Sequence, residues 1–143
     1  MLSQLRRPPH GGARRAPGGP RVPAAATARY LSVAGSDREI DRNEFRDKST
    51  VGNMIWVSGT GSQVAQRLWV HHNYFHDFTN AGGNGAETIR FGLSGLSFSN
   101  GQGLVEFNLF VRCNGENELI SNKSGGNTYR YTRSSILPAR SSR

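Results

Sequence analysis

Glu116, Glu118 and Lys123 are the residues of this 143-residue chain whose types and spacing best suit chemistry. Residues i and i+2 of an extended strand share a face. Glu116 and Glu118 are therefore expected to project together, as two carboxylates able to hold one hard cation. Lys123 lies an odd number of residues after Glu118, which on a perfect strand sends it to the opposite face. A shared site then requires a bend or bulge between them. Lysine is scarce here, with sixteen arginines beside only Lys48 and Lys123. A lysine whose pKa is depressed serves as a general base, and arginine scarcely does. The competing reading is an exposed strand edge carrying a solvated charge pair.

The elements that must position these residues follow from a recurring pattern. Asn43-Glu44-Phe45, Asn73-Tyr74-Phe75 and Asn108-Leu109-Phe110 repeat a core of Asn-x-Phe, and Gly126-Asn127-Thr128-Tyr129 is a weaker copy. Between them lie strand-like runs at 54–58, 87–91 and 118–121, separated by Gly, Asn and Ser. Short strands repeating every few tens of residues, with no helical period, point to a solenoid, and a parallel β-helix fits best. Asparagine suits a bend because it tolerates the left-handed conformation and its amide bonds to backbone or to another asparagine. The aromatic that follows fills the interior. An antiparallel sandwich is the alternative architecture.

The formal net charge of +8 invites a nucleic-acid reading, but its distribution opposes it. Residues 1–33 carry six arginines and no acid, whereas residues 34–118 carry all ten acids against seven basic residues. The basic excess belongs to the ends, and a nucleic-acid module more often carries it on the folded face. No nucleic-acid partner is expected. No run of about 18 apolar residues suggests a membrane helix. Residues 1–35 form an arginine-rich, low-complexity segment expected to be disordered, faintly transit-like and without a secretory signal. Residues 36–131 are the expected folded domain and residues 132–143 a basic tail. Cys113 reads as a structural thiol.

From Ile40 to Tyr131 the chain resembles polysaccharide lyase family six, the alginate lyases and chondroitinase B. Three blocks carry the resemblance: His71-His72-Asn73-Tyr74-Phe75; Gly82-Gly83-Asn84-Gly85-Ala86-Glu87-Thr88-Ile89-Arg90; and Val105 to Phe110 continuing through Gly115-Glu116-Asn117-Glu118-Leu119-Ile120-Ser121-Asn122-Lys123-Ser124. The resemblance implies a right-handed parallel β-helix and a Ca²⁺ ion held by Asn84, Glu116 and Glu118, oxygen ligands that suit a hard cation. It implies Lys123 as the catalytic base in β-elimination at a 4-linked uronic acid, in alginate or dermatan sulfate, and a secreted or periplasmic setting. The family's catalytic arginine, on the next coil, has no counterpart in the motif context after Tyr131. The expectation is a partial catalytic domain, monomeric, with low or no activity alone.

Arg90 and His72 are expected to contact the anionic polysaccharide, Arg90 through its planar fork. The alternatives are a surface-strand arginine and, for His71, His72 and His76, polar packing between coils. Asp77 and Glu87 could reinforce the acidic site or be solvated. Trp56 and Trp69 could stack on sugars but read more simply as core. A non-catalytic calcium- and anionic-polysaccharide-binding module is the alternative function.

Overall fold

The structure, a computed structural model, describes residues 4–6, 28–79 and 83–135. Its strands are short. β1 (Gln4–Arg6), β2 (Leu31–Val33), β3 (Glu39–Asp41) and β4 (Glu44–Lys48) come first. The next pass holds β5 (Ile55–Val57), a hairpin of β6 (Gly59–Thr60) and β7 (Gln63–Val64), then β8 (Trp69–His71) and β9 (Tyr74–Phe78). A third holds β10 (Ile89–Phe91), β11 (Leu104–Glu106) and β12 (Leu109–Cys113). The last holds β13 (Ile120–Asn122), β14 (Thr128–Arg130) and β15 (Arg133–Ser135).

These strands make three sheets: A (β1-β3-β8-β11-β14), B (β2-β5-β10-β13) and C (β4-β9-β12-β15). From β2 onward the chain visits B, A and C in that order four times, and every pairing within the three sheets is parallel. The described residues are all-β, and among them only the β6–β7 hairpin is antiparallel, which removes the sandwich alternative. A parallel pair cannot be closed by a tight hairpin and needs a long connection. Here the other two sheets supply that connection.

Inward positions fill one core. Ile55, Val57, Ile89 and Phe91 come from B, Ile40, Val70 and Val105 from A, and Phe45, Phe75 and Phe110 from C, all buried. The three phenylalanines stack with centroids 4.8 and 4.6 Å apart and nearly parallel planes. Fully burying one such side chain is worth roughly 1.5–3 kcal/mol. The asparagines of Asn-x-Phe form a second file at the corner between A and C. Asn43 N–H and Nδ2 both donate to Asn73 Oδ1, and Asn73 N–H and Nδ2 both donate to Asn108 Oδ1.

The left-handed residue at this corner precedes the asparagine, contrary to expectation: Arg42, His72 and Phe107 have φ of 52–53°, and in the last pass Tyr131, with φ of 49°, precedes Thr132. Asparagine is selected there for its side-chain hydrogen bonds, which satisfy backbone groups at the bend. Inside sheet C, Asp47, Asp77 and Arg112 are also left-handed. That kink lets Lys48, Phe78 and Cys113 point inward three residues after the inward phenylalanines.

Other expectations need correction. The repeat extends beyond 36–131, because β2 and β15 lie in sheets B and C. Within the segment expected to be disordered, Gln4–Arg6 pairs with β3 and Ala28 N–H bonds to Val51 O. Residues 1–3 and 7–27 lie outside the described residues, as do 136–143 of the tail. Asn127 is not a fourth member of the asparagine file, because Tyr129 pairs with Val105 on sheet A. The strand expected over 118–121 starts at Ile120. Trp56 and Trp69 lie on outer faces, Trp69 40% exposed and Trp56 beneath the Arg29 guanidinium at 3.9 Å.

Candidate active site

Sheet B and the corner leading into it from sheet C carry five of the six residues singled out for function. β13 pairs with β10 in the register Ile89↔Ile120, Arg90↔Ser121, Phe91↔Asn122. Ile89 and Phe91 point inward, so Arg90 points outward, and Lys123 follows directly after the last residue of β13. Lys123 is half-buried and its N–H donates to Phe91 O at 2.8 Å.

Glu116 sits in a bend and Glu118 in the irregular stretch after it, at the corner before β13 and not on an extended strand. Their common direction therefore cannot come from strand pleat. The corner itself brings Glu116 to the Asn84 loop: Glu116 Oε2 accepts hydrogen bonds from Gly85 N–H at 2.8 Å and Ala86 N–H at 3.0 Å. Next to it, Leu119 O accepts from Thr88 N–H. The two segments with the most distinctive sequence are thus fastened side by side. Asn84 and Glu118 are both exposed.

The acidic residues divide in an informative way. Asp37 pairs with Arg67, Glu39 with His71, Asp41 with Arg42, Glu44 with His76, Asp47 with Arg46, Asp77 with Arg112, Glu87 with Arg90 and Glu106 with Arg130. That accounts for eight of the ten acids in the sequence. Among the described residues, Glu116 and Glu118 are the two without a cationic side chain at ion-pair distance.

A chondroitinase B family model matches residues 21–134. The chain belongs to the chondroitinase B family. Family membership is reinforced by a solved structure, described as that of a mannuronic acid specific polysaccharide family 6 lyase enzyme from human gut microbiota. It is 36% identical with a TM-score of 0.68, over 72% of this chain and 23% of the enzyme. The chain therefore spans about a quarter of that enzyme's length. Among curated proteins, none matches.

The chondroitinase B family is one of polysaccharide lyases, and the donor set here suits the calcium that the family implies. Glu116, Glu118 and Asn84 offer only oxygens, the ligands of a hard cation. Two carboxylates without cationic partners leave local negative charge for an ion to balance. Arg90 is mostly buried beside Glu87, at 3.7 Å, and its Nε has no partner among the described residues. Glu87 is itself buried, with Asn53 Nδ2 donating to its carboxylate, so it is not solvated.

His72 does not join this group. It lies at the opposite corner, between A and C, where its ring stacks on Phe107 and its Nδ1 faces His71 Nδ1 at 2.8 Å. His71 and His76 instead brace the preceding pass, each through a glutamate. Glu39, Asp41 and His71 form a cluster of metal-ligand type that the sequence reading missed. Glu39 and Asp41 repeat the i, i+2 carboxylate spacing, but His71 comes from the next pass. Each already has a protein partner: His71 holds Glu39, and Arg42 holds Asp41. Cys113 is an inward, half-buried thiol whose pKa burial pushes up to about 11, in keeping with a structural role.

Proposed function

We propose that this chain is part of a calcium-dependent lyase that cleaves 4-linked uronic acid polysaccharides by β-elimination. We read its four passes as coils of a right-handed parallel β-helix. The observation that carries the reading is the isolation of Glu116 and Glu118 from every cationic side chain described, beside a loop that Glu116 fastens through two backbone amides. Asn84, Glu116 and Glu118 would hold the ion. Bound calcium would neutralise the uronate carboxylate and stabilise negative charge developing at C5.

Lys123 would take the C5 proton on its Nζ. The C5–H electrons form the C4–C5 double bond as the C4–O4 bond breaks, and the departing oxygen then takes a proton from water. Lys123 suits the first step because no carboxylate among the described residues pairs with it, and because its backbone is held against Phe91. Arg90, on the outer side of sheet B, would contact the substrate's charge. The structural neighbour is described as specific for mannuronic acid, so mannuronate-rich alginate is the first substrate to examine, with dermatan sulfate the second.

Elimination creates an unsaturated uronate with its own ultraviolet absorbance, which hydrolysis does not create. The expected result is a slow, calcium-dependent rise in that absorbance, lost in Lys123→Ala. A rise that persists in Lys123→Ala would remove Lys123 as the base. Calcium-dependent binding of alginate with no rise at all would assign the chain to a non-catalytic polysaccharide-binding module instead.

A further inference from the structure

We propose that Asn127 is a positioning residue that latches the loop carrying Lys123. The inference rests on the reading of Lys123 as the base. Lys123 lies between Asn122 and Ser124, and Asn127 holds both neighbours. Its Nδ2 donates to Asn122 Oδ1 at 2.8 Å and to Ser124 Oγ at 2.8 Å. Its Oδ1 accepts from Gly103 N–H at 2.8 Å, which ties the loop to the preceding pass. Tyr129 OH adds a second donor to Asn122 Oδ1 at 3.0 Å.

The seat beneath is shaped for this side chain. A Cβ at Gly101 would stand 2.5 Å from Asn127 Oδ1 and one at Gly103 2.9 Å from it, closer than real Cβ atoms come. Both positions lack side chains where the amide lies. The backbone closes the rest, with Gly101 N–H on Gly125 O and Gly125 N–H on Ser99 O, both 2.8 Å. Lys123 follows the last residue of β13, so its direction depends on this short loop and not on a continuing strand. A catalytic group displaced by about 1 Å can lose on the order of 10² in rate, which is the function a latch would serve.

The test uses the full chain with its lysines reductively methylated with ¹³C, a change that keeps their charge. Gadolinium stands in for calcium, and terbium luminescence reports lanthanide affinity separately. Broadening of the Lys123 methyl signal by gadolinium falls steeply with distance, so it reads how closely the lysine is held to the ion. Strong broadening is expected in the wild type, and none in the Glu116→Gln, Glu118→Gln double variant. Asn127→Asp keeps the acceptor for Gly103 but loses donation to Asn122 and Ser124. Its terbium affinity should match the wild type while the broadening drops several-fold. Asn122→Ala, at an exposed side chain, removes one arm of the latch without the seat, and should give a partial drop even if Asn127→Asp does not fold. Wild-type broadening in Asn122→Ala and in any folded Asn127→Asp would overturn the role of Asn127 and leave the base assignment standing. No broadening in the wild type would instead sink the metal-and-lysine reading, and the latch with it.

Discussion

Glu116 Oε2 lies 3.0 Å from the backbone nitrogen of Ala86, thirty residues earlier in the chain. One carboxylate thus docks an entire loop, through charge-assisted bonds to Ala86 and to its neighbour Gly85. Hydrogen bonds to charged groups contribute about 1.5–3 kcal/mol.

Glu116→Ala should therefore lower stability by roughly that amount, about 1.5–3 kcal/mol, in urea unfolding without calcium. Glu116→Gln keeps an acceptor and should lose less. In both, the rise in melting temperature that calcium gives the wild type should largely disappear, because a ligand stabilises only through native-state binding. Unchanged unfolding of Glu116→Ala would show that the loop does not depend on this contact.

The asparagine file makes a graded prediction. Asn73 sits mid-file, accepting from Asn43 and donating to Asn108, Ile40 O and His71 O. Asn43 is at the file's end and its own Oδ1 is without a partner among the described residues. Each buried polar group left unpaired costs about 1–3 kcal/mol. Asn73→Ala should thus destabilise clearly more than Asn43→Ala in matched urea titrations, and equal losses would contradict the ladder.

Lys48 predicts an alkaline dependence. Its Nζ is buried and donates to Thr50 O at 2.5 Å and Thr50 Oγ1 at 2.9 Å, all neutral oxygens. Burial lowers its pKa from 10.5 to about 8. Between those two values the unfolded chain binds more protons than the folded one, so stability should rise as pH climbs from about 8 toward 10.5. Lys48→Met should flatten that rise when unfolding free energy is measured across the window. A wild-type slope of the opposite sign would contradict the burial.

Asp77 predicts the acid limb. Arg112 donates to both its oxygens, at 2.5 and 3.0 Å, and His76 Nδ1 lies 2.6 Å away. The Arg112 bonds, opposed by some desolvation, hold its pKa near 2. The stability this contributes is present above the unfolded value near 4 and is lost as pH falls toward 2. Arg112→Ala should move the acid unfolding midpoint to higher pH, as followed by circular dichroism, while an unmoved midpoint would mean the pair contributes nothing.

The interior of this fold was legible because its files are written in one residue type at one place per pass: Phe45, Phe75 and Phe110, and the three asparagines. Inward positions have a single environment, so they repeat. Outward chemistry repeats less, and there the reading failed in physical ways. Glu116 and Glu118 read as a strand because alternation looks the same in a strand and in a bend. His72 shared a motif with Asn73 yet faces the far corner, because one left-handed residue redirects the chain. The pairs Glu39–His71 and Glu44–His76 join residues 32 apart, and no local pattern marks a partner in another pass. Asn127 looked like a weak copy of the asparagine repeat, although its side chain serves a different corner.

The corner between sheets A and C has two residues in every pass: 42–43, 72–73, 107–108 and 131–132. The corner between B and A does not keep its length, taking in the β6–β7 hairpin in one pass and a 3₁₀ turn at Ser94–Leu96 in another. Chain length thus varies at the B–A and C–B corners and stays fixed at the A–C corner. At Gly61, the exposed tip of that hairpin, an added Cβ would meet nothing within 4 Å, but its φ of 60° calls for the glycine to be kept beside any insertion. A foreign peptide grafted there would be displayed on an undisturbed scaffold. One spliced beside Asn108 would throw every later inward side chain out of register.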